Sequence, residues 1–169
     1  WRYTKTDIEL IEEFIDFIPH RIFDSHAHLY RTRDLHTGED SFLCADQQEM
    51  GYRAWRAHVG KLTGGREVTG GLFFPMVTAD CDIEQANTFL LSQLKDTENS
   101  RGLLLVHPGS SVADIGRYLD EERITGFKPY FYYSTENPRA ESSIEGFAPE
   151  WIWEYADHGK MVIMLHIVK

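Results

Sequence analysis

Apolar residues follow two patterns along the chain, namely short continuous runs and stripes at helical spacing. The continuous runs predict five strands, at 22–29, 71–77, 102–107, 126–133 and 161–168. The stripes between them predict helices over 6–18, 83–94, 112–119 and 148–158. Because continuous apolar runs are typical of strands buried on both faces, this alternation predicts a parallel sheet with helices covering both of its faces.

Residues at the ends of the helical stripes fit helix termini. Thr6 and Glu9 have the spacing of a capping box, and Pro19 is expected to end the first helix. The last helix has Pro149 in its first turn and Gly159 just beyond its end, which is the usual asymmetry of proline at the start and glycine at the stop.

Residues 30–69 interrupt the alternation with an insert too long for an ordinary strand-to-helix connection. The insert is expected to contain a helix around 45–58. A long segment that follows a strand is often a lid or substrate loop, and a purely structural excursion is the alternative. If it borders a substrate, the side chains expected to touch the ligand are His36, Tyr52, Trp55 and His58.

Charge and composition limit the classes of partner. The 169 residues carry 17 Lys and Arg against 27 Asp and Glu, giving a net charge of −10. This balance argues against nucleic acid or an anionic membrane as the main partner, since both require a basic surface. With 42% hydrophobic residues and no apolar run long enough to span a bilayer, we expect a globular cytoplasmic protein. Cys44 and Cys81 are expected to be free thiols.

The first predicted strand carries the clearest chemical signal. In Asp24-Ser25-His26-Ala27-His28, the three ionisable side chains occupy alternate positions and are expected to share one face of the strand. Two imidazoles on a rigid strand can bind one cation, and zinc accepts such ligands at about 2.0–2.1 Å. His26 and His28 are therefore candidate metal ligands, with a pair of ordinary histidines as the alternative. Asp24 is expected to support them rather than to bind metal.

Other apolar runs also lead into ionisable side chains. His107 and His166 follow two of the runs, and Lys128 lies in a third with Tyr130 on the same face. The carboxyl ends of parallel strands are where such sheets build their sites. A lysine in an apolar strand is costly unless it is paired or functional, although a lysine that reaches the rim remains an alternative.

These residues resemble the metal-dependent amidohydrolase superfamily, and in particular its amidohydrolase-2 branch. The resemblance rests on the 24–29 motif, on Gly126-Phe127-Lys128 and on the strand that leads to His166, and it covers most of the chain. It implies an α/β fold of the (β/α)8 TIM-barrel type, with 1–169 as a single domain that holds the first five βα units of an incomplete barrel. Both ends of the chain look cut, so we expect it to be the front portion of a longer polypeptide.

The resemblance also implies roles for individual residues. His26, His28 and His166 match metal ligands of the family, and one divalent ion, with zinc as the default, is the implied cofactor. Lys128 and His166 are the implied catalytic residues, and Lys128 lies near the place of a carboxylated lysine that bridges two metals in binuclear relatives. The family's further histidine and aspartate, at the ends of its sixth and eighth strands, have no counterpart here. The candidates for substrate binding are His107, Tyr130, His58 and Trp55. His107, like Lys128, is also a candidate to bind an acidic substrate.

The implied activity is hydrolysis of a C–N or C–O bond in a small molecule by a metal-activated water. Some members of the branch decarboxylate aromatic acids instead, so a lyase is the nearest alternative. A non-catalytic flavodoxin-like binding module would suit the chain length, but the first βα connection lacks a glycine-rich phosphate loop. A non-catalytic fragment is a third alternative. The expected partner is a small-molecule substrate, and self-association into a homo-oligomer is left open.

Overall fold

A computed structural model describes residues 3–38, 41, 48–95 and 97–167 of the chain. The helices are α1 Lys5–Phe14, α2 Thr32–Leu35, α3 Tyr52–Leu62, α4 Ile83–Leu94, α5 Val112–Leu119, α6 Ile144–Phe147 and α7 Trp151–Gly159. The strands are β1 Arg21–Arg31, β2 Glu49–Met50, β3 Glu67–Pro75, β4 Arg101–Val106, β5 Ile124–Pro129 and β6 Val162–Ile163. Strands and helices therefore alternate along most of the chain, as the apolar pattern predicts.

The strands form one sheet in the order β2-β1-β3-β4-β5-β6. All neighbouring pairs are parallel except β1 and β2, which pair antiparallel through Tyr30 with Met50 and Arg31 with Glu49. Apart from β2, the strands follow their order in the chain. Among the described residues, the sheet therefore lacks the reversal of strand order at which doubly wound, flavodoxin-like sheets bind their ligands.

The predicted TIM-barrel fold is wrong. The observed fold is an open, mixed six-stranded α/β sheet, and within the described ranges β6 pairs with β5 but not with the strands at the opposite edge. The antiparallel strand β2 lies on the outer edge of β1, where a closing strand of a barrel would have to pair. The motifs on which the prediction rested record the order of strands and helices, and this order does not determine whether the two edges of a sheet meet.

The main hydrophobic core lies between one face of the sheet and helices α3, α4, α5 and α7. Phe73, Leu104 and Phe127 of the sheet are fully buried in it. The helices contribute, among others, Trp55, Phe89, Leu90, Ile115, Tyr118 and Ile152. We call this side of the sheet the helix face.

The opposite face carries Phe74 and Lys128, which are 0% and 1% exposed. Phe23 and Val162 lie on this face too, because they pair with Gly70 and Gly126, at even spacing from Phe74 and Lys128. They remain 50% and 44% exposed. The prediction of a sheet covered by helices on both faces is therefore wrong for this part of the sheet.

Helix boundaries differ from the predictions by a few residues. The capping box of α1 is formed by Thr4 and Asp7, two residues before the predicted pair, and the helix ends at Phe14. At α7 the left-handed stop is Lys160, with φ +52°, rather than the preceding glycine. Within the described residues, the helix predicted at 45–58 is observed as α3, which begins at Tyr52. Residues 45–47 of that prediction, and Cys44, lie outside the described residues. Within the described ranges, no helix is both long and apolar enough to cross a membrane.

Candidate functional site

A β-bulge in β1 decides which face each side chain of the histidine motif reaches. Asp24 pairs with Gly71, and Ala27 pairs with Phe73. Between these two pairs β1 therefore contains one residue more than β3, which is the definition of a bulge. Neighbouring residues of paired strands point to the same face. Asp24 therefore lies on the helix face with Phe73, although strict alternation predicts that it shares a face with the histidines.

The hydrogen bonds of Asp24 agree with this placement. Its Oδ2 accepts from Trp55 Nε1 at 3.2 Å, and its Oδ1 accepts from the backbone N–H of His26 at 3.0 Å. The carboxylate thus ties helix α3 to the bulge. It supports the backbone at His26 instead of binding an imidazole ring.

His26 and His28 lie together on the face opposite the helices. Their ring centroids are 5.4 Å apart, and both rings meet the ring of Phe74 edge to face, at 4.8 and 4.7 Å. His28 Nδ1 lies 3.3 Å from the carbonyl oxygen of Pro75, so it donates to that oxygen in the neutral tautomer that leaves Nε2 for a ligand. Burial lowers the pKa of His28 to about 4, and the ring is therefore neutral at pH 7.

Lys128 approaches the same phenylalanine from β5. Its Nζ lies 4.9 Å from the ring centre of Phe74 and 5.0 Å from that of Tyr130. Burial lowers the pKa of the ammonium to about 8. In the part of the chain that the structure describes, no carboxylate forms an ion pair with Lys128 and no hydrogen bond reaches it.

Tyr130 and His166 complete the group. A parallel bridge joins their backbones at the carboxyl ends of β5 and β6, and their rings stack with centroids 4.9 Å apart. Burial, followed by the charges of Lys128 and His26, lowers the pKa of His166. The side chains of His26, His28, Lys128, Tyr130 and His166 therefore gather on one face, and we call them the strand-end cluster.

Phe74 is the member of this site that the sequence does not reveal. Its ring contacts the rings of His26 and His28 and the ammonium of Lys128. In the sequence it is one apolar residue within a predicted strand. Only the register of β1 with β3, which pairs His28 with Phe74, identifies it.

The remaining predicted substrate-binding residues make their contacts elsewhere. His107 lies in the loop after β4, where its Nδ1 accepts from the N–H of Gly109 at 3.2 Å. Trp55 is 5% exposed and packs against Phe73 on the helix face, while His58 hydrogen bonds with Tyr3 Oη at 2.9 Å. The contacts of Trp55 and His58 thus lie outside the strand-end cluster, whereas His107 directly follows the β4 residues that pair with Lys128 and Pro129. The substrate role of all three side chains stays a prediction.

Two other residues of the insert also have partners of their own. Tyr52 packs against Trp55 and Phe73 in the core. His36 Nδ1 lies 2.9 Å from the carbonyl oxygen of Asp80. The described residues of the insert therefore contribute to the hydrophobic core and to surface loops.

The donor set of the strand-end cluster fits a divalent ion in part. His26 and His28 offer two neighbouring imidazoles, one of them neutral at pH 7 and oriented by a backbone carbonyl. Across residues 3–38, 41, 48–95 and 97–167, however, no three histidine, cysteine or acidic side chains are close enough to hold a metal ion. The arrangement provides an imidazole pair with His166 on the same face, and not a preformed three-ligand site.

Comparisons with known proteins add nothing to this geometry as evidence of function. No family model matches the chain, and neither the curated proteins nor the solved structures gave a match. The resemblance to amidohydrolases therefore rests on the motif residues alone.

Proposed function

We propose that the protein is a metal-dependent hydrolase that cleaves a C–N or C–O bond of a small molecule. The observation that carries the proposal is the pairing of His26 and His28 on one face, with the Nδ1 of His28 bonded to the carbonyl of Pro75. Metal-binding histidines commonly use their second ring nitrogen in this way, because the bond fixes the tautomer and the ring orientation.

In this proposal His26 and His28 hold one divalent ion, with zinc favoured by imidazole ligands. When bound, a divalent ion would supply two things: it lowers the pKa of water to about 7, and it polarises a carbonyl group. The protein contributes the orientation of the imidazoles, through the Pro75 carbonyl and through the Phe74 ring that both of them contact.

His166 and Lys128 are the proposed catalytic side chains. The lowered pKa of His166 favours its neutral form at pH 7, in which it can accept a proton or serve as a third ligand. The proposed role of the Lys128 ammonium is to stabilise negative charge that develops on a substrate oxygen. It is buried, so its field is screened less than that of a surface lysine.

A decarboxylase is the second candidate, favoured by the buried ammonium of Lys128, which would attract an acidic substrate. The two activities differ in their products. Carbon dioxide release from an aromatic acid would support the lyase, whereas appearance of an amine or alcohol together with an acid would support the hydrolase.

Metal binding tests the proposal without knowledge of the substrate. We expect wild-type protein, stripped with chelator and titrated with zinc in a calorimeter, to bind one equivalent. Substituting His26→Ala together with His28→Ala should weaken zinc binding by more than about tenfold. The control is His158→Ala, an exposed histidine of α7 that hydrogen bonds within its own helix. Equal zinc affinity in the double variant and the wild type would overturn the assignment.

A further inference from the structure

A groove runs along helix α7 on the helix face of the sheet, on the side opposite the strand-end cluster. Its volume is about 540 Å³, and most of its lining is apolar. Pockets that bind small organic molecules have volumes of about 300–1,000 Å³, so the groove is large enough for such a ligand. Its lining includes Val112 of α5, Trp151, Glu154, Tyr155 and His158 of α7, and Met161 before β6.

Two aromatic rings form part of the groove wall and are held in place by the core. The rings of Trp151 and Tyr155 meet at 89°, with centroids 6.2 Å apart. Phe127, which is fully buried, contacts both of them, at 5.4 and 6.0 Å. Trp151 Nε1 also donates to the carbonyl oxygen of Ser110 at 2.7 Å. The aromatic wall is therefore ordered before a ligand arrives, which lowers the entropy that binding has to overcome.

The groove contains one carboxylate, that of Glu154. In the part of the chain that the structure describes, the ion pairs are made by other acidic side chains, and Asp157 is the one that pairs with nearby Lys160. His158, which also lines the groove, directs its Nδ1 to the backbone carbonyl oxygen of Glu154 at 2.8 Å and leaves the carboxylate free.

The surroundings of this carboxylate add to its negative potential. The groove extends to the last turn of α7, where the helix dipole contributes partial negative charge. The chain as a whole carries a net charge of −10. A cation is therefore the ligand that the electrostatics of the groove favour.

We propose that this groove binds a small molecule that carries a trimethylammonium group. Rings such as those of Trp151 and Tyr155 attract cations through the negative charge on their faces, and Glu154 supplies the counter-ion. A primary ammonium would bring three N–H donors into a largely apolar groove with a single carboxylate. A quaternary ammonium has no N–H to satisfy, and its methyl groups suit apolar walls. The inference is independent of the proposed function, because the two sites lie on opposite faces of the sheet.

Choline and its carbon analogue tert-butylethanol form a matched pair of probes, because they share a shape and differ in charge. In NMR titrations of the wild-type protein, we expect choline to bind at least about tenfold more tightly than tert-butylethanol. The indole N–H signal of Trp151 should shift, and the methyl signal of choline should move upfield because the methyl groups lie against aromatic rings. Ethanolamine, a primary ammonium, should bind more weakly than choline.

Variants at two glutamates test the counter-ion. Glu154→Gln keeps the size of the side chain and removes its charge, so it should weaken choline binding by about threefold and leave the affinity for tert-butylethanol unchanged. Glu145→Gln is the control, since it removes the same charge from an exposed position of α6 that does not line the groove. It should bind choline as the wild type does.

Several results would overturn the inference. These are the absence of saturable choline binding, equal affinity for choline and tert-butylethanol, ethanolamine affinity as high as that for choline, or unchanged choline affinity in Glu154→Gln. Protein that binds phosphatidylcholine vesicles but not free choline would also overturn it, in favour of a membrane surface. The probe comparison uses wild-type protein, so it does not depend on how a variant folds.

Discussion

Replacing Lys128 by methionine should stabilise the protein at neutral pH, an unusual result for a buried position. Burial lowers the pKa of this lysine from 10.5 to about 8. At 1.36 kcal/mol per pH unit, this difference corresponds to about 3 kcal/mol of unfavourable free energy in the folded state at pH 7. Methionine has a similar length and carries no charge to desolvate, so Lys128→Met should recover up to about this amount.

The pH dependence identifies the cause. Between about pH 8 and 10.5, the lysine of the unfolded chain is protonated while the folded lysine has lost its proton. The unfolded state then holds more protons, so the stability of the wild type rises with pH across this window. The variant lacks the group, and its advantage over the wild type should therefore shrink as the pH passes from 8 to 10.5.

Urea unfolding followed by tryptophan fluorescence measures this effect, since Trp55 is buried in the core. With a slope of about 2 kcal/mol per molar urea, a gain of about 3 kcal/mol would raise the midpoint by about 1.5 M at pH 7. Lys160→Met, at an exposed position, should leave the midpoint within about 0.3 M of the wild type. A lower midpoint for Lys128→Met at pH 7, or an advantage that does not change with pH, would refute the reasoning.

Three further predictions concern the elements around the site. Burial lowers the pKa of His28 from 6.5 to about 4, so on acidification the unfolded chain takes up the proton first, and about 3 kcal/mol of stability should be lost between these pH values. In urea unfolding with chelator, His28→Gln should remove this part of the dependence of stability on pH, and an unchanged pH dependence in the variant would contradict it. Asp24→Ala leaves Trp55 Nε1 without its acceptor and should cost about 1–3 kcal/mol in urea unfolding, whereas a neutral effect would show that this bond contributes little. Gly126→Ala would place a Cβ against the carbonyl oxygen of Val162, so hydrogen exchange should accelerate at β6. Unchanged protection of β6 in the variant would contradict the close approach of the two strands at this glycine.

The sequence contains enough information to predict that several ionisable side chains meet. His28, Lys128 and His166 each follow or lie in an apolar run, and the runs alternate with helices. Parallel strands place their carboxyl ends at one edge, so these side chains come together in the structure. Local patterns predict this gathering because it depends on strand direction alone.

Features that depend on contacts between distant segments could not be predicted. The antiparallel pairing of β2 with β1 involves two residues, Glu49 and Met50, in a segment without a strand pattern. The barrel is implied only by the family resemblance of the motifs, and whether a sheet closes depends on which of its edges pair. The side of the sheet on which Asp24 lies depends on the bulge, which is visible only in the register with β3.

The bulge gives β1 one spare residue at the point where the histidine motif begins. Asp24 remains opposite Gly71, and Ala27 remains opposite Phe73, on either side of it. Deleting Ser25 would leave one residue, His26, to span the gap, so both flanking pairs could persist in a regular ladder. An insertion or deletion at the bulge can therefore change the direction of the His26 ring while the strand pairs on either side of it persist. The orientation of this candidate metal ligand is thus independent of the pairing that stabilises the sheet.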